Sequence, residues 1–459
     1  MTTTSPVTAA SPTNRMVGVY WGAGSFGTIA YLNMVAALIL VYLTRVVQLE
    51  PITAGAIVAG ARIADALLDP LMGWITDRTR TRFGRRRPYL LLGAVLCGLF
   101  LPLVYSIHGV ATPQSAAFIA LAALVLYSVG FTVFNVPYLT MPVEMTTDRN
   151  ERLRIMSYRV TFMMLGGLLG NAGAPFLVQQ LGADGRAYQL TGIAIGAVVT
   201  AFMLVAFLGT ASARATQHTD HALRFRDQIG SVLRNKPFMT LVSVKILQFV
   251  AIASVSSTLA FYVTVVLKQD FRLLSVFGLV VTGTIVVAVP MWRRLSARIT
   301  KLRGLVIGII GEVSTTFLWL AASPDTAYLV VVLRGMLAGI FGSAILLNSQ
   351  AMWLDTIDYD RRRSGISREG LFTSIYVFVE RLGYSVGPLA LGALLSAMDF
   401  DKTLPLDQQP ASAAVAVYIG IVWLPAIMYS IALLLLSGYA IPDRSGSAAQ
   451  AGEASPHEY

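Results

Sequence analysis

The sequence predicts an all-α membrane protein of twelve transmembrane helices arranged as two six-helix bundles. Three observations predict it. Of 459 residues, 55% are hydrophobic and only 13% charged, where a soluble domain is nearer roughly a quarter charged. Apolar runs of the length a bilayer core requires, about 20 residues each, recur along the chain, and the mean hydropathy is +0.66. The basic residues behind the net charge of +11 gather in every second connection between those runs.

The runs begin near Val17, Ile52, Tyr89, Gln114, Ile155, Tyr188, Pro237, Leu273, Leu305, Ala327, Gly370 and Ala411. Charge interrupts the second with Arg62, Asp65 and Asp69, the seventh with Lys245 and the eleventh with Glu380 and Arg381. Orientation follows from the connections. Six arginines between Arg78 and Arg87 follow the second run, and further basic clusters follow the fourth, sixth, eighth and tenth. The positive-inside bias puts both termini in the cytoplasm of a multi-pass inner (plasma) membrane protein. The longest connection falls at the midpoint. It divides the chain into a cytoplasmic tail (1–16), an N-terminal bundle (17–210), a central cytoplasmic loop (211–236), a C-terminal bundle (237–441) and a polar tail (442–459) expected to be disordered. A weak repeat agrees, since the second run of each half ends in a basic loop.

Composition excludes several functions. Basic residues confined to short loops serve topology and not nucleic acid. A single cysteine, Cys97, inside an apolar run allows no disulfide and no thiolate metal cluster. The four histidines lie in loops or tails without ligand spacing. With no Walker loop, dinucleotide fingerprint or nucleophile elbow, neither an enzyme nor a cofactor is expected, and an ion gradient is the natural energy source.

Chemistry concentrates in the second run. Arg62, Asp65 and Asp69 are spaced by three and four, so they share one helix face. Each central charge costs about 2.5–3.5 kcal/mol to insert, and two carboxylates one turn apart repel, so one needs a cation or a proton. Arg62 is expected to neutralise one acid and leave the other for a coupling ion, Na⁺ or H⁺. A brace between helices is the plainer reading, though one base would need only one acid. Pro70 gives no N–H to the Ala66 carbonyl, and Thr132 and Asn135 in the fourth run offer further neutral oxygens.

The next stretch runs from Gly73 through Asp77, Arg78, Gly84 and Arg85 to Pro88. It resembles the loop signature of the major facilitator superfamily, in which Gly73 would permit close helix contact and Asp77 would act as a conformational latch. The chain as a whole resembles the glycoside–pentoside–hexuronide cation symporters, the group that includes the melibiose permease. The resemblance rests on Gly24-Ser25-Phe26-Gly27, on Ala61 to Asp65 with Asp69-Pro70, and on Asn135-Val136-Pro137-Tyr138. Asn235-Lys236-Pro237-Phe238 and Asp355 to Tyr359 extend it.

That resemblance implies a cation site at Asp65 and Asp69 with Thr132. It places the family's basic residue of the eleventh helix at Arg381 and a substrate-side arginine at or beside Arg159. It also exposes departures. Sugar-binding members carry acids on the first and fourth helices, where this chain has Ile29 and Asn135. If Arg159, Lys245 and Arg381 face the pathway unpaired, they favour an anionic solute such as a hexuronide. Lys245 is equally well read as the partner of a buried Glu312. Tyr138, Tyr376, Trp21, Tyr20, Tyr31 and Tyr384 offer rings for a sugar face, although packing is the plainer role of each.

The expected function is cation-coupled symport of a sugar, glycoside or hexuronide-like solute by alternating access, by a monomer whose partners are the solute and the bilayer. Two other classes stay open: a carrier or exporter of amphiphiles, and a receptor or scaffold that transports nothing.

Overall fold

The computed structural model describes residues 15–109, 112–146, 149–211, 235–325, 327–364 and 369–439. The expected terminal tails (1–16 and 442–459) and the central loop (211–236) lie almost wholly outside the described residues. The described chain is helical throughout, in twelve long runs.

In the first half these are α1 (Arg15–Val41, continued by a π turn Tyr42–Val46), α2 (Pro51–Arg78), α3 (Arg87–Val104) and α4 (Pro113–Met145). Then come α5 (Arg149–Leu168, continued through Leu169–Gly173 and Ala174–Gln180) and α6 (Gly185–Gly209). The second half comprises α7 (Lys236–Phe261, continued by a π turn Tyr262–Val266), α8 (Phe271–Ile299) and α9 (Lys301–Thr316, continued by Phe317–Ala321). It ends with α10 (Ala327–Ser364), α11 (Glu369–Ala397) and α12 (Ala411–Tyr418, continued through Ile419–Trp423 and Leu424–Ser437). Eleven of these runs are long and apolar enough to cross a membrane. The other long helix, α11, is the one that carries Glu380 and Arg381 near its middle.

The local sequence explains where helices start. Pro51, Pro88, Pro113 and Pro237 sit in first turns, where a missing N–H costs nothing. Asp184, Asn235 and Asp270 cap α6, α7 and α8 by accepting backbone N–H bonds of 2.7, 3.2 and 2.9 Å. Pro70 lies inside α2, which runs on to Arg78.

The two halves repeat a local device. Tyr42-Leu43-Thr44 and Tyr262-Val263-Thr264 occupy matching π turns at the ends of α1 and α7. Each threonine hydroxyl donates to the carbonyl four residues back at 2.8 Å. Each turn leads to a residue with positive φ, Gln48 at 63° and Lys268 at 51°. The tyrosines then tie the third helix of their own half, Tyr42 by accepting from Ile107 N–H at 2.9 Å and Tyr262 by donating to the Trp319 carbonyl.

Within the first half α1 packs on α5 and α6, α3 on α4 and α6, and α2 on α4. In the second half α7 packs on α11 and α12, α8 on α10, and α9 on α10 and α12. The halves meet through α2 with α11, α1 with α7, and α8 with α5. Glycine permits the closest of these approaches, for a Cβ on Gly55 or Gly392 would strike the backbone of Pro388 or Pro51.

At the end distal to the chain termini, polar contacts join the halves. Arg45 donates to the carbonyls of Lys402, at 2.9 Å, and Leu404. Lys402 bonds Glu50 at 2.6 Å, Ser396 Oγ accepts from Ile52 N–H at 2.9 Å, and Gln179 accepts from Phe271 N–H at 3.2 Å. A cavity of about 400 Å³ remains there, lined among others by Arg45, Gln179, Asp184, Tyr188 and Asp270.

Candidate functional site

The centre of the molecule holds a polar cluster of three charged residues and a threonine, built from three helices. Asp65 and Asp69 project one turn apart from α2, Thr132 comes from α4 and Arg381 from α11. Thr132 Oγ1 lies 3.0 Å from Asp65 Oδ1 and 2.9 Å from Asp69 Oδ1. Its single proton serves one carboxylate at a time. Arg381 completes the cluster from the other half: one guanidinium nitrogen pairs with Asp65 Oδ2 and the other with Asp69 Oδ2 at 3.1 Å. Asp65 is 2% exposed, whereas the Asp69 side chain keeps 16%. The guanidinium also lies 5.2 Å from the Phe131 ring centroid, a cation–π contact.

Two carboxylates thus share one guanidinium, so with both ionised the pairing leaves one carboxylate charge without an ion-pair partner of its own. The oxygens around it are hard donors of the kind that suit a small cation. The expected role of Arg62 is corrected: no ion pair joins it to either acid. It lines a small cavity with Ser256, Ser257, Tyr384 and Pro388 instead. Arg381 takes the partner's place because α11 packs directly on α2. Arg381 is accordingly not the unpaired substrate cation that the sequence suggested. Asn135, half-buried on α4, makes no hydrogen bond with the described residues.

The second half holds its own polar group. Lys245 of α7 is 3% exposed, with its ammonium 5.3 Å from the Phe249 ring and 5.6 Å from the Tyr376 ring. Tyr376 accepts a bond from Gln350 at 2.9 Å and meets Trp353 at a ring separation of 4.9 Å. The reading of Lys245 as partner to Glu312 is corrected as well. Glu312 bonds Arg334 of α10 at 2.6 Å, with both side chains 10% exposed or less. Arg334 was legible as a charge in the tenth run, but nothing in the linear order assigns it to Glu312. Arg159 of α5 is half-buried, and its Nε is buried without a partner among the described residues.

Several other expectations resolve into packing. Tyr138 is fully buried: its ring stacks on Trp21 at 4.6 Å, and its hydroxyl donates to the Trp21 carbonyl at 2.9 Å and lies 2.6 Å from Ser25 Oγ. It joins α1 to α4 and offers a solute no surface, so the substrate role is withdrawn. Tyr31 is spent likewise, stacked on Tyr127 at 4.1 Å. Gly73 makes no close helix contact, since a Cβ there would meet nothing within 4 Å. Arg78 lies 4.0 Å over the Trp74 ring. Gly84 turns the following loop at φ +93°, a conformation that favours glycine, and Arg85 follows it. The Asp77 side chain lies outside the described residues, so its latch role is not placed.

A family model described as MFS/sugar transport protein matches residues 20–443. The chain is 21% identical to an isoprimeverose transporter of Lactiplantibacillus pentosus, over 89% of this chain and 85% of that one. It is 26% identical to sodium-dependent lysophosphatidylcholine symporter 1 of Mus musculus, over 88% and 81% of the two chains. Its fold is similar to that of a bacterial homologue of the human lysosomal transporter Spinster in an inward-facing, unoccupied conformation. That match has a TM-score of 0.69 at 13% identity, covering 94% of this chain and 97% of that one.

Proposed function

Because this chain belongs to the MFS/sugar transport protein family, and is thereby a multi-pass secondary transporter, we propose that it couples uptake of a glycoside-like solute to a cation, Na⁺ or H⁺, by alternating access. One observation carries the reading: Arg381 is shared by Asp65 and Asp69 near the middle of α2, so with both acids ionised one carboxylate charge lacks an ion-pair partner of its own. A buried surplus charge is costly, and a travelling cation is the simplest partner for it.

The acids stand on the first half and the guanidinium on the second, so the ion site is also a bond between halves. A cation held by Asp65, Asp69 and Thr132 competes with Arg381 for the same oxygens. Binding then loosens α2 from α11 and biases the equilibrium between the two facing states, through the ion's different affinity for each. Both termini are assigned to the cytoplasm by the basic loops, so the contacts of Arg45, Lys402 and Gln179 close the outer end. The isoprimeverose relative supports a glycoside as cargo.

The experiment is uptake into proteoliposomes of the full chain, with labelled methyl β-xyloside and methyl β-glucuronide as probes under an inward Na⁺ or H⁺ gradient. Asp65→Asn and Asp69→Asn each abolish uphill accumulation while the protein remains in the membrane. Normal uphill uptake by both variants removes the coupling role.

The lysophosphatidylcholine relative favours a second reading, in which the cargo is an amphiphile and the ion site is unchanged. Lysophosphatidylcholine in the same assay separates the two, since only the second reading predicts its transport.

A further inference from the structure

Glu380 is a central carboxylate among the described residues that the coupling scheme leaves unused. It stands next to Arg381 in sequence, yet it makes no ion pair with it, nor any hydrogen bond with another described residue. The reason is its helix face. Tyr376, Glu380 and Tyr384 recur every four residues and so line one side of α11. Phe249 of α7 meets both rings of that stripe, Tyr376 at 5.9 Å and Tyr384 at 5.5 Å. Glu380 therefore stands on the face of α11 that packs against Phe249 of α7, while Arg381 turns to α2.

Four cations from four helices surround this carboxylate closely enough for their fields to act on it: Arg381, Lys245, Arg62 and Arg159. None touches it. Lys245 is capped by aromatic rings, Arg62 lies along the small cavity beside Tyr384, and Arg159 keeps an unpartnered Nε. A carboxylate without a partner among the described residues, with cations on neighbouring helices, sets acceptors beside donors.

A sugar hydroxyl is the complementary group, because it donates its proton to a carboxylate while its oxygen accepts from an ammonium or guanidinium. A plain anion would suit the cations but meet repulsion from Glu380. We propose that Glu380 is the solute-gripping carboxylate of this transporter. It accepts the two O–H groups of a vicinal diol on a glycoside ring, with Lys245, Arg62 and Arg159 as donors around it. The second half thus supplies the acid that Ile29 and Asn135 do not. This inference rests on the glycoside reading above and adds to it the residue that selects the cargo.

The test is binding by calorimetry to the purified full chain, with methyl β-xyloside, its 3-deoxy analogue and methyl β-glucuronide as ligands. Wild type binds at least one of the two parent glycosides. Glu380→Gln weakens that binding at least tenfold, and Glu380→Asp, which keeps the charge, loses less. The 3-deoxy analogue binds wild type at least tenfold more weakly than methyl β-xyloside, yet the two bind Glu380→Gln alike. A retained thermal response to the coupling cation shows that the variants are folded. If Glu380→Gln binds a glycoside as wild type does, or wild type holds the deoxy analogue as tightly as its parent, the inference falls and the glycoside reading stands. If wild type binds no glycoside, both fall and the cation site is untouched.

Discussion

Arg381 and Asp65 lie 316 residues apart in sequence and on opposite halves of the molecule, yet they form its central ion pair. Removing the arginine isolates two acids instead of one. Arg381→Ala should destabilise the protein by roughly 3–5 kcal/mol, as loss of a partner from a buried ion pair does. A bound cation replaces part of the lost charge, so the variant should respond more strongly to the coupling ion than wild type. Thermal denaturation of both proteins with and without the ion checks this.

A second buried pair makes an independent prediction. Glu312→Gln leaves Arg334 buried without its carboxylate, and two guanidinium nitrogens, Nε and Nη1, already lack partners. The melting temperature should fall by an amount equivalent to roughly 3–5 kcal/mol. Adding Arg334→Met should recover most of the loss, because it removes the stranded charge. Failure of the double variant to recover would show that the pair is not an isolated unit.

The closure at the distal end depends on Arg45, which reaches two carbonyls of the 402–404 loop. Arg45→Ala removes charged hydrogen bonds worth about 1.5–3 kcal/mol each and should shift the protein toward opening at that end. The native Cys97 is fully buried, so a Thr264→Cys probe in the adjoining cavity can be followed by alkylation alone. Its modification should quicken at least tenfold in the Arg45→Ala background, while an unchanged rate would remove Arg45 from the closure.

The matched turns predict matched costs. Tyr42→Phe and Tyr262→Phe each delete one buried hydrogen bond, so each should lower stability by about 0.5–1.5 kcal/mol. Denaturation of the two single variants measures it. A large effect at one site only would mean that the halves do not use the device equally.

Much of the fold was legible because hydropathy is a local property. The predicted starts at Ala327 and Ala411 coincide with α10 and α12, and those at Ile52 and Pro237 fall one residue inside α2 and α7. Thr132 beside the acid pair was legible too, through the family resemblance. Partner choice was not. Arg62 shares a face with the acids on its own helix, but long-range packing brings Arg381 closer than any local base. Lys245 and Glu312 looked complementary until α10 delivered Arg334. Tyr138 carried a motif, but its environment, stacked on Trp21, depends on how α1 meets α4. The Tyr42–Thr44 and Tyr262–Thr264 repeat stood open in the sequence, as a three-residue match too short to notice before its two turns were seen to superpose in role.

Thermal stability of wild type, Asp65→Asn and Asp69→Asn, measured across Na⁺ concentration and across pH at constant ionic strength, puts the ion site to trial most directly. A ligand that binds the native state raises its melting point by mass action. Wild type should respond to one of the two cations by about 2–4 °C near saturation, and both variants should lose that response. A wild type indifferent to both cations, or variants that answer as it does, would contradict a cation site between the halves.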